Sequence, residues 1–330
     1  MSLRIMGLAP KCGAHSTGAR RCGARQLPRA VRQRHTVAMA TIVTVEKARS
    51  LLPKRASDAH KGDFGHVFLL AGSRGFAGAA KLAARAAERS GVGLVTLGVP
   101  EPLQESVASG LAETMTLGLP AGKDGCLAAA AAMPALDFAQ QKSAVGLGPG
   151  LGQGEGASQF VETFAVRCPV PFALDADGLN ALSGRADLLA LKQAPCVLTP
   201  HPGEMARLLQ CTVPEVQADR ETAALRLAEK AQAVVVLKGA GTLITEAGGP
   251  IYINPTGNQG LAKGGSGDVL TGLLAGLLAQ GIAPLGAAQL AVFAHGLAAD
   301  LAAESIGARG MIASDVIAHL PAAWRSIESS

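Results

Sequence analysis

The feature that most constrains this chain is its rhythm. From residue 62 onward, short runs rich in Val, Leu and Ile lead into glycine-rich turns, and the turns lead into helical stretches. The spacing predicts strands over residues 66–71, 94–99, 143–147, 171–174, 196–199 and 233–237. It predicts an alanine-rich helix over 78–90 and another over 214–231, the second with Pro214 at its first position, where a missing N–H costs nothing. Residues 233–237 carry apolar β-formers without alternation, the pattern of a strand buried on both faces. Residues 242–245 and 251–253 predict a hairpin joined by the turn Ala247-Gly248-Gly249-Pro250. Helices dominate beyond it. Strands alternating with helices build an α/β fold: a largely parallel central sheet in three layers, flanked by helices. No shift in composition divides residues 41–330, which are expected to form one domain. The alanine run at 128–132 is expected to be a solvent-side helix.

Residues 269–299 contain no Asp, Glu, Lys or Arg and exceed the ~20 residues a bilayer span needs. Gln280, Gly281 and Pro284 break the stretch, so two buried helices are expected rather than a membrane segment.

Ligands of such sheets bind beyond the carboxyl ends of the strands, and polar and glycine-rich segments gather there in this sequence. The strongest is Asn258-Gln259-Gly260-Leu261-Ala262-Lys263-Gly264-Gly265-Ser266-Gly267-Asp268. Glycines just where a helix begins leave backbone N–H groups open at its positive end, which makes an anion hole. Asp268 is then either a helix cap or a general base beside a bound phosphoryl group. Three glycines crowded around it favour the base, and the helix end should keep it ionised.

Lys238-Gly239-Ala240-Gly241-Thr242 offers a cation, amides and a hydroxyl after a buried strand, suiting a nucleotide phosphate or a tight turn. In Thr199-Pro200-His201-Pro202-Gly203-Glu204, two prolines hold His201 at a strand end in position to touch ligand. Glu204 either reaches a metal through water or merely opens the next helix. Asp175, Asp177 and Asn180 suit a metal site or Asx turns. The loop from Gly72 to Gly78 has GxxGxxG spacing, not the dinucleotide fingerprint. GxxxxGK[ST], GxSxG and HExxH sequences do not occur.

Charge separates the N-terminus from the rest. The net charge is +5, but eight of the 30 Lys and Arg lie in residues 1–38, which hold no Asp or Glu. That leaves 22 against 25 acids, about −3 for residues 39–330. Residues 1–40 are therefore expected to be a basic leader: a tail or upstream extension before Met39, or an organelle transit peptide. The body is net acidic and poor in aromatics (one Trp, one Tyr, eight Phe), which argues against a nucleic-acid surface. The six cysteines form no CxxC pair, which fits a reducing, cytoplasmic setting.

Taken in order, GSRGFAGAA, GPGLG, LDADGLNAL, TPHPGE, LKGAGTLI and NQGLAKGGSGDVLTG resemble the NAD(P)H-hydrate dehydratases of the ribokinase-like superfamily, over roughly residues 42–325. TPHPGE and KGAGT resemble the ADP-dependent branch. The resemblance implies dehydration of the 6S hydrate of NADH or NADPH to the reduced cofactor, with ADP as co-substrate, Mg²⁺ as cofactor, and AMP and phosphate as products. It assigns Ala79, Gly150, His201 and Asp268 to the hydrate, Asp268 to catalysis, and Lys238, Gly239, Ala240, Gly241, Thr242 and Gly267 to the nucleotide. It also implies a homo-oligomer, such as a tetramer, and an epimerase supplied by another chain. The segment departs from the family pattern at Gln259, Lys263 and Ser266 and keeps Gly267 and Asp268. A ribokinase-like small-molecule kinase, of the hydroxymethylpyrimidine or hydroxyethylthiazole type, is the alternative that would use Asp268 in the same way.

Overall fold

The computed structural model describes residues 40–330; the basic leader lies outside them, apart from its last residue. Ten strands form one sheet: β1 (Thr41–Ile42), β2 (His66–Leu70), β3 (Leu94–Pro100), β4 (Met115–Leu119), β5 (Ala144–Leu147), β6 (Phe172–Leu174), β7 (Cys196–Leu198), β8 (Val234–Leu237), β9 (Leu243–Thr245) and β10 (Tyr252–Ile253). Their order is β1-β10-β9-β8-β7-β6-β5-β2-β3-β4. Neighbours run parallel except at β9, which is antiparallel to β8 and β10.

The uninterrupted apolar runs are explained by two cores, one on each face. Successive strand residues point to opposite sides, so Val67 and Leu69 of β2 enter one core, and Phe68 and Leu70 the other. Val234 and Val236 of β8 are divided from Val235 and Leu237 in the same way. The first core is closed by the helices Ala77–Glu88, Ser266–Ala279, Pro284–Ile306 and Ala313–Ser329; the second by Ala132–Ala139, Glu155–Arg167, Pro202–Leu209 and Arg220–Ala231. Each fully buried Leu or Val contributes roughly 1.5–3 kcal/mol.

One contact fixes where the key helix begins. At Gly272 a Cβ would stand 1.9 Å from the carbonyl oxygen of Ala83. Glycine alone lets Ser266–Ala279 press onto Ala77–Glu88 at that depth, which brings the first turn of Ser266–Ala279 to the carboxyl edge of the sheet.

Residues 269–299 do form two core helices, Ser266–Ala279 and Pro284–Ile306. By length and composition Pro284–Ile306 would cross a membrane, but 78% of its apolar window is buried in this fold. Two expectations need correction. Residues 214–231 are not one helix but two, Val213–Ala218 and Arg220–Ala231. The backbone turns at Asp219 (φ −147°, ψ 80°), whose side chain accepts from the Thr222 amide at 3.0 Å and caps the second helix. Thr212 caps the first, which puts Pro214 at its second position. A local side-chain bond has out-competed the helix interior. The alanine run is a 3₁₀ turn, Ala129–Ala131, entering the helix Ala132–Ala139, with Ala131 and Ala132 buried rather than facing solvent.

Candidate active site

Three strand ends converge on one buried ionic knot. Asp175 follows β6 and is 1% exposed. One carboxylate oxygen takes the Lys238 ammonium at 2.7 Å, and the other accepts from the Thr271 hydroxyl at 2.7 Å. Lys238 follows β8, and Glu204, which follows β7, lies 3.7 Å from its ammonium. Burial pulls the Lys238 pKa down, but Asp175 and Glu204, with Asp268 behind them, outweigh it and hold it above its ordinary value.

The glycine segment arrives at this knot. A Cβ at Gly267 would lie 3.4 Å from both the Lys238 ammonium and the Asp175 carboxylate. Among the described residues, none accepts a hydrogen bond from the amides of Gly264, Gly265, Gly267 or Asp268. Lys263 anchors the loop by donating to the carbonyls of Arg309 (2.7 Å) and Met311 (2.6 Å). Open amides, a helix N-terminus and a lysine meet at one place, as an anion site requires.

Asp268 is not the cap. Gly265 is the capping residue, Asp268 is the third helical residue, and its carboxylate accepts no hydrogen bond among the described residues. Burial first, then the charge of Asp175, push its pKa up from 3.8 to about 6 against the pull of Lys238, with Asp177 adding to the rise. The helix end does not hold it fully ionised, as the sequence suggested; desolvation wins. A carboxylate poised near neutrality is suited to taking a proton.

His201 caps the helix Pro202–Leu209. Its Nδ1 accepts from the amides of Gly203 (2.9 Å) and Glu204 (3.3 Å), which leaves the ring proton on Nε2. Glu204 returns the bond, accepting from the His201 amide at 2.8 Å. Burial, then Lys238 and Arg207, lower the His201 pKa, so the ring is neutral at pH 7. Glu204 is thus a helix-capping carboxylate that also faces Lys238. No group of three or more His, Cys, Asp or Glu among the described residues is arranged to hold a metal. Asp177 and Asn180 serve the neighbouring turn: Asp177 accepts from the Gly152 amide (2.9 Å), and Asn180 bonds Asp177 (3.3 Å) and Arg207 (3.0 Å).

A cavity of about 900 Å³ opens over the knot. Asp268, His201, Glu204, Gly267 and the whole run Lys238, Gly239, Ala240, Gly241 and Thr242 line it. Of the wall from Asn254 to Asn258, only Asn258 was recognised in the sequence. Asp300 holds that wall through the Gly257 amide (2.8 Å) and Asn258 (2.9 Å). Ala79 and Gly150 do not line the cavity. They lie against each other: a Cβ at Gly150 would be 3.0 Å from the Ala79 Cβ. Asp175 was legible only as a polar strand-end residue, and Thr271 carried no signal within an apolar helix.

Comparison with known proteins identifies the family. The sequence model of a family described as NAD(P)H-hydrate dehydratase matches residues 67–322. The chain belongs to the NAD(P)H-hydrate dehydratase family. The chain is 37% identical over 286 residues to the ADP-dependent (S)-NAD(P)H-hydrate dehydratase of Bacillus subtilis, covering 86% of this chain and 98% of that one. It is 44% identical over 287 residues to the bifunctional NAD(P)H-hydrate repair enzyme Nnr of Moorella thermoacetica, covering 87% of this chain but 54% of that one. The chain spans about half the length of the bifunctional relatives it matches. A crystal structure of the ADP/ATP-dependent dehydratase from B. subtilis, co-crystallized with ATP/Mg²⁺, superposes with a TM-score of 0.77 at 36% identity, over 88% of this chain and 100% of that one. A ribokinase-like superfamily protein of Enterococcus faecalis shares the fold (TM-score 0.74, 24% identity, 88% and 97% covered).

Proposed function

We propose that this dehydratase restores NADH or NADPH from the 6S hydrate at the expense of ADP, releasing AMP and phosphate. One observation carries the reading: Asp268, a carboxylate without a hydrogen-bond partner among the described residues and titrating near 6, stands beside free helix-end amides and Lys238 in a cavity of about 900 Å³.

Hydroxide is a poor leaving group, so the chemistry must improve it. Asp268 takes the proton of the ring hydroxyl, and the oxygen attacks the terminal phosphorus of ADP. The new O–P bond forms as the bond to AMP breaks. The ring nitrogen's electron pair then expels phosphate, breaking the C–O bond and leaving an iminium ring. Loss of a proton from the neighbouring ring carbon, to the departing phosphate or to water, forms the C=C bond and restores the reduced ring. The amides at residues 264–268 and the Lys238 ammonium take up charge that develops on the transferred group. Asp175 keeps Lys238 in place. His201, neutral at pH 7, presents a ring N–H rather than a charge.

Mg²⁺ suits the knot as an ion that arrives with the phosphates: Asp175, Glu204 and Asp268 outnumber Lys238, and such ions use few protein ligands. Glu204 would hold it through water, and the ion supplies charge neutralisation.

Incubating hydrated NADH with ADP or with ATP, and following the near-ultraviolet absorbance of the reduced ring, tests the proposal. Recovery with ADP is expected; recovery with neither nucleotide would refute it.

A further inference from the structure

Arg220 lies outside every motif considered above, and the helix break at Asp219 is what places it. Had residues 214–231 formed one helix, Arg220 would sit in its interior. The turn instead makes it the first residue of Arg220–Ala231. From there its half-buried guanidinium reaches under the end of β8. One nitrogen donates to the carbonyl of Leu237 at 3.1 Å, and two reach the carbonyl of Lys238 at 3.4 and 3.5 Å. A third partner, Gln217, steadies it at 3.2 Å.

These carbonyls belong to the two peptide units that flank Lys238. The first unit's N–H, that of Lys238, donates to Pro200 at 2.9 Å. The second unit's N–H is that of Gly239, which lines the cavity. None of the described residues accepts from the amides of Gly239, Ala240 or Gly241. A cation on the carbonyl of a peptide unit polarises it and makes its N–H a stronger donor. Gly239 also shows why this position has no side chain. Its φ is +143°, and a Cβ would stand 2.8 Å from the Arg220 guanidinium.

We propose that Arg220 is a positioning residue for the nucleotide. It clamps the peptides on both sides of Lys238 and aims the polarised Gly239 amide at an anionic oxygen of ADP. The proposal rests on the nucleotide-dependent reading above. Arginine suits the task because its planar fork spans two carbonyls, which a lysine ammonium does not.

Calorimetric binding of ADP and of AMP to the full chain tests this, with Arg220→Gln and Arg220→Lys beside wild type. Arg220→Gln should weaken both nucleotides about tenfold, the size of one charged hydrogen bond. Arg220→Lys, which keeps charge but loses the fork, should weaken them by about threefold. In turnover, KM for ADP should rise in step while KM for the hydrate and kcat stay within about twofold, a split that mere loss of stability does not produce. Wild-type nucleotide affinity in Arg220→Gln would overturn the proposal and leave the functional reading intact. If that variant does not fold, unchanged affinity in Arg220→Lys does the same. Absence of ADP and AMP binding by wild type would overturn both.

Discussion

The two halves of the site are built in different ways. The half assigned to the nucleotide is an open cavity with charge at its floor: one lysine held by buried carboxylates, under amides that have no partner among the described residues. Of the residues assigned to the hydrate, His201 and Asp268 line this cavity, while Ala79 and Gly150 lie at a seam. The loops after β2 and β5 are stitched together by the Gly72 amide on Pro149 (2.8 Å) and the Ser73 hydroxyl on Gly150 (2.8 Å), with Ala79 packed on Gly150. On the proposed reading the cavity meets the charged nucleotide, and the seam meets the hydrate through close backbone approach. Asp268 responds to both, because its pKa is raised by Asp175 on the cavity side and by Asp177, which holds the seam's Gly152.

Breaking the junction should cost most. Asp268→Asn is expected to lower kcat by ~10²–10⁴ in steady-state assays while both ligands still bind. Next comes the cavity floor. Lys238→Ala leaves Asp175 as an unpaired buried charge, so urea melts should show a loss of about 3–5 kcal/mol, with ADP affinity falling as well. The seam should fail separately. Gly150→Val places a side chain at φ +63° and 2.8 Å from Phe76, and should raise the hydrate KM while ADP binding holds. If Gly150→Val weakened ADP as much as the hydrate, the division into halves would be wrong.

The smallest effects are electrostatic. The folded pKa of Asp268, about 6, lies above 3.8. The acid limb of kcat/KM should therefore fall below about pH 6, as the base gains its proton. The sign for stability is the reverse. Above pH 6 the fold must carry a desolvated charge, and this penalty disappears as pH falls through 6 toward 3.8. Asp268→Asn should accordingly melt higher than wild type at neutral pH, with the gap closing on acidification.

Much of this was legible because its signals are local. The strand cores of β2, β3, β5, β6, β7 and β8 announce themselves as apolar runs, and the glycine segment before Asp268 as a helix-end cradle. The edge strands were not legible. β1 has two residues, and β4 carries Met115, Thr116 and Gly118 among its five, too weak a pattern to stand out. β10, although as short, was legible as the second arm of the hairpin at 251–253. The partners of the knot were not legible either. Thr271 and Arg220 meet Asp175 and Lys238 across separations of 96 and 18 residues, and no periodicity encodes such pairings. Asp219 shows the limit from the other side: its capping bond spans three residues, yet a continuous helical pattern masked it.

The central claim is that the two halves act as one by passing a phosphoryl group between them. It is tested most directly by counting products after rapid quench of wild type with hydrated NADH and ADP labelled at the terminal phosphate. One AMP and one labelled phosphate should form for each NADH regained, the label passing first through the hydrate. NADH regained without AMP would contradict it.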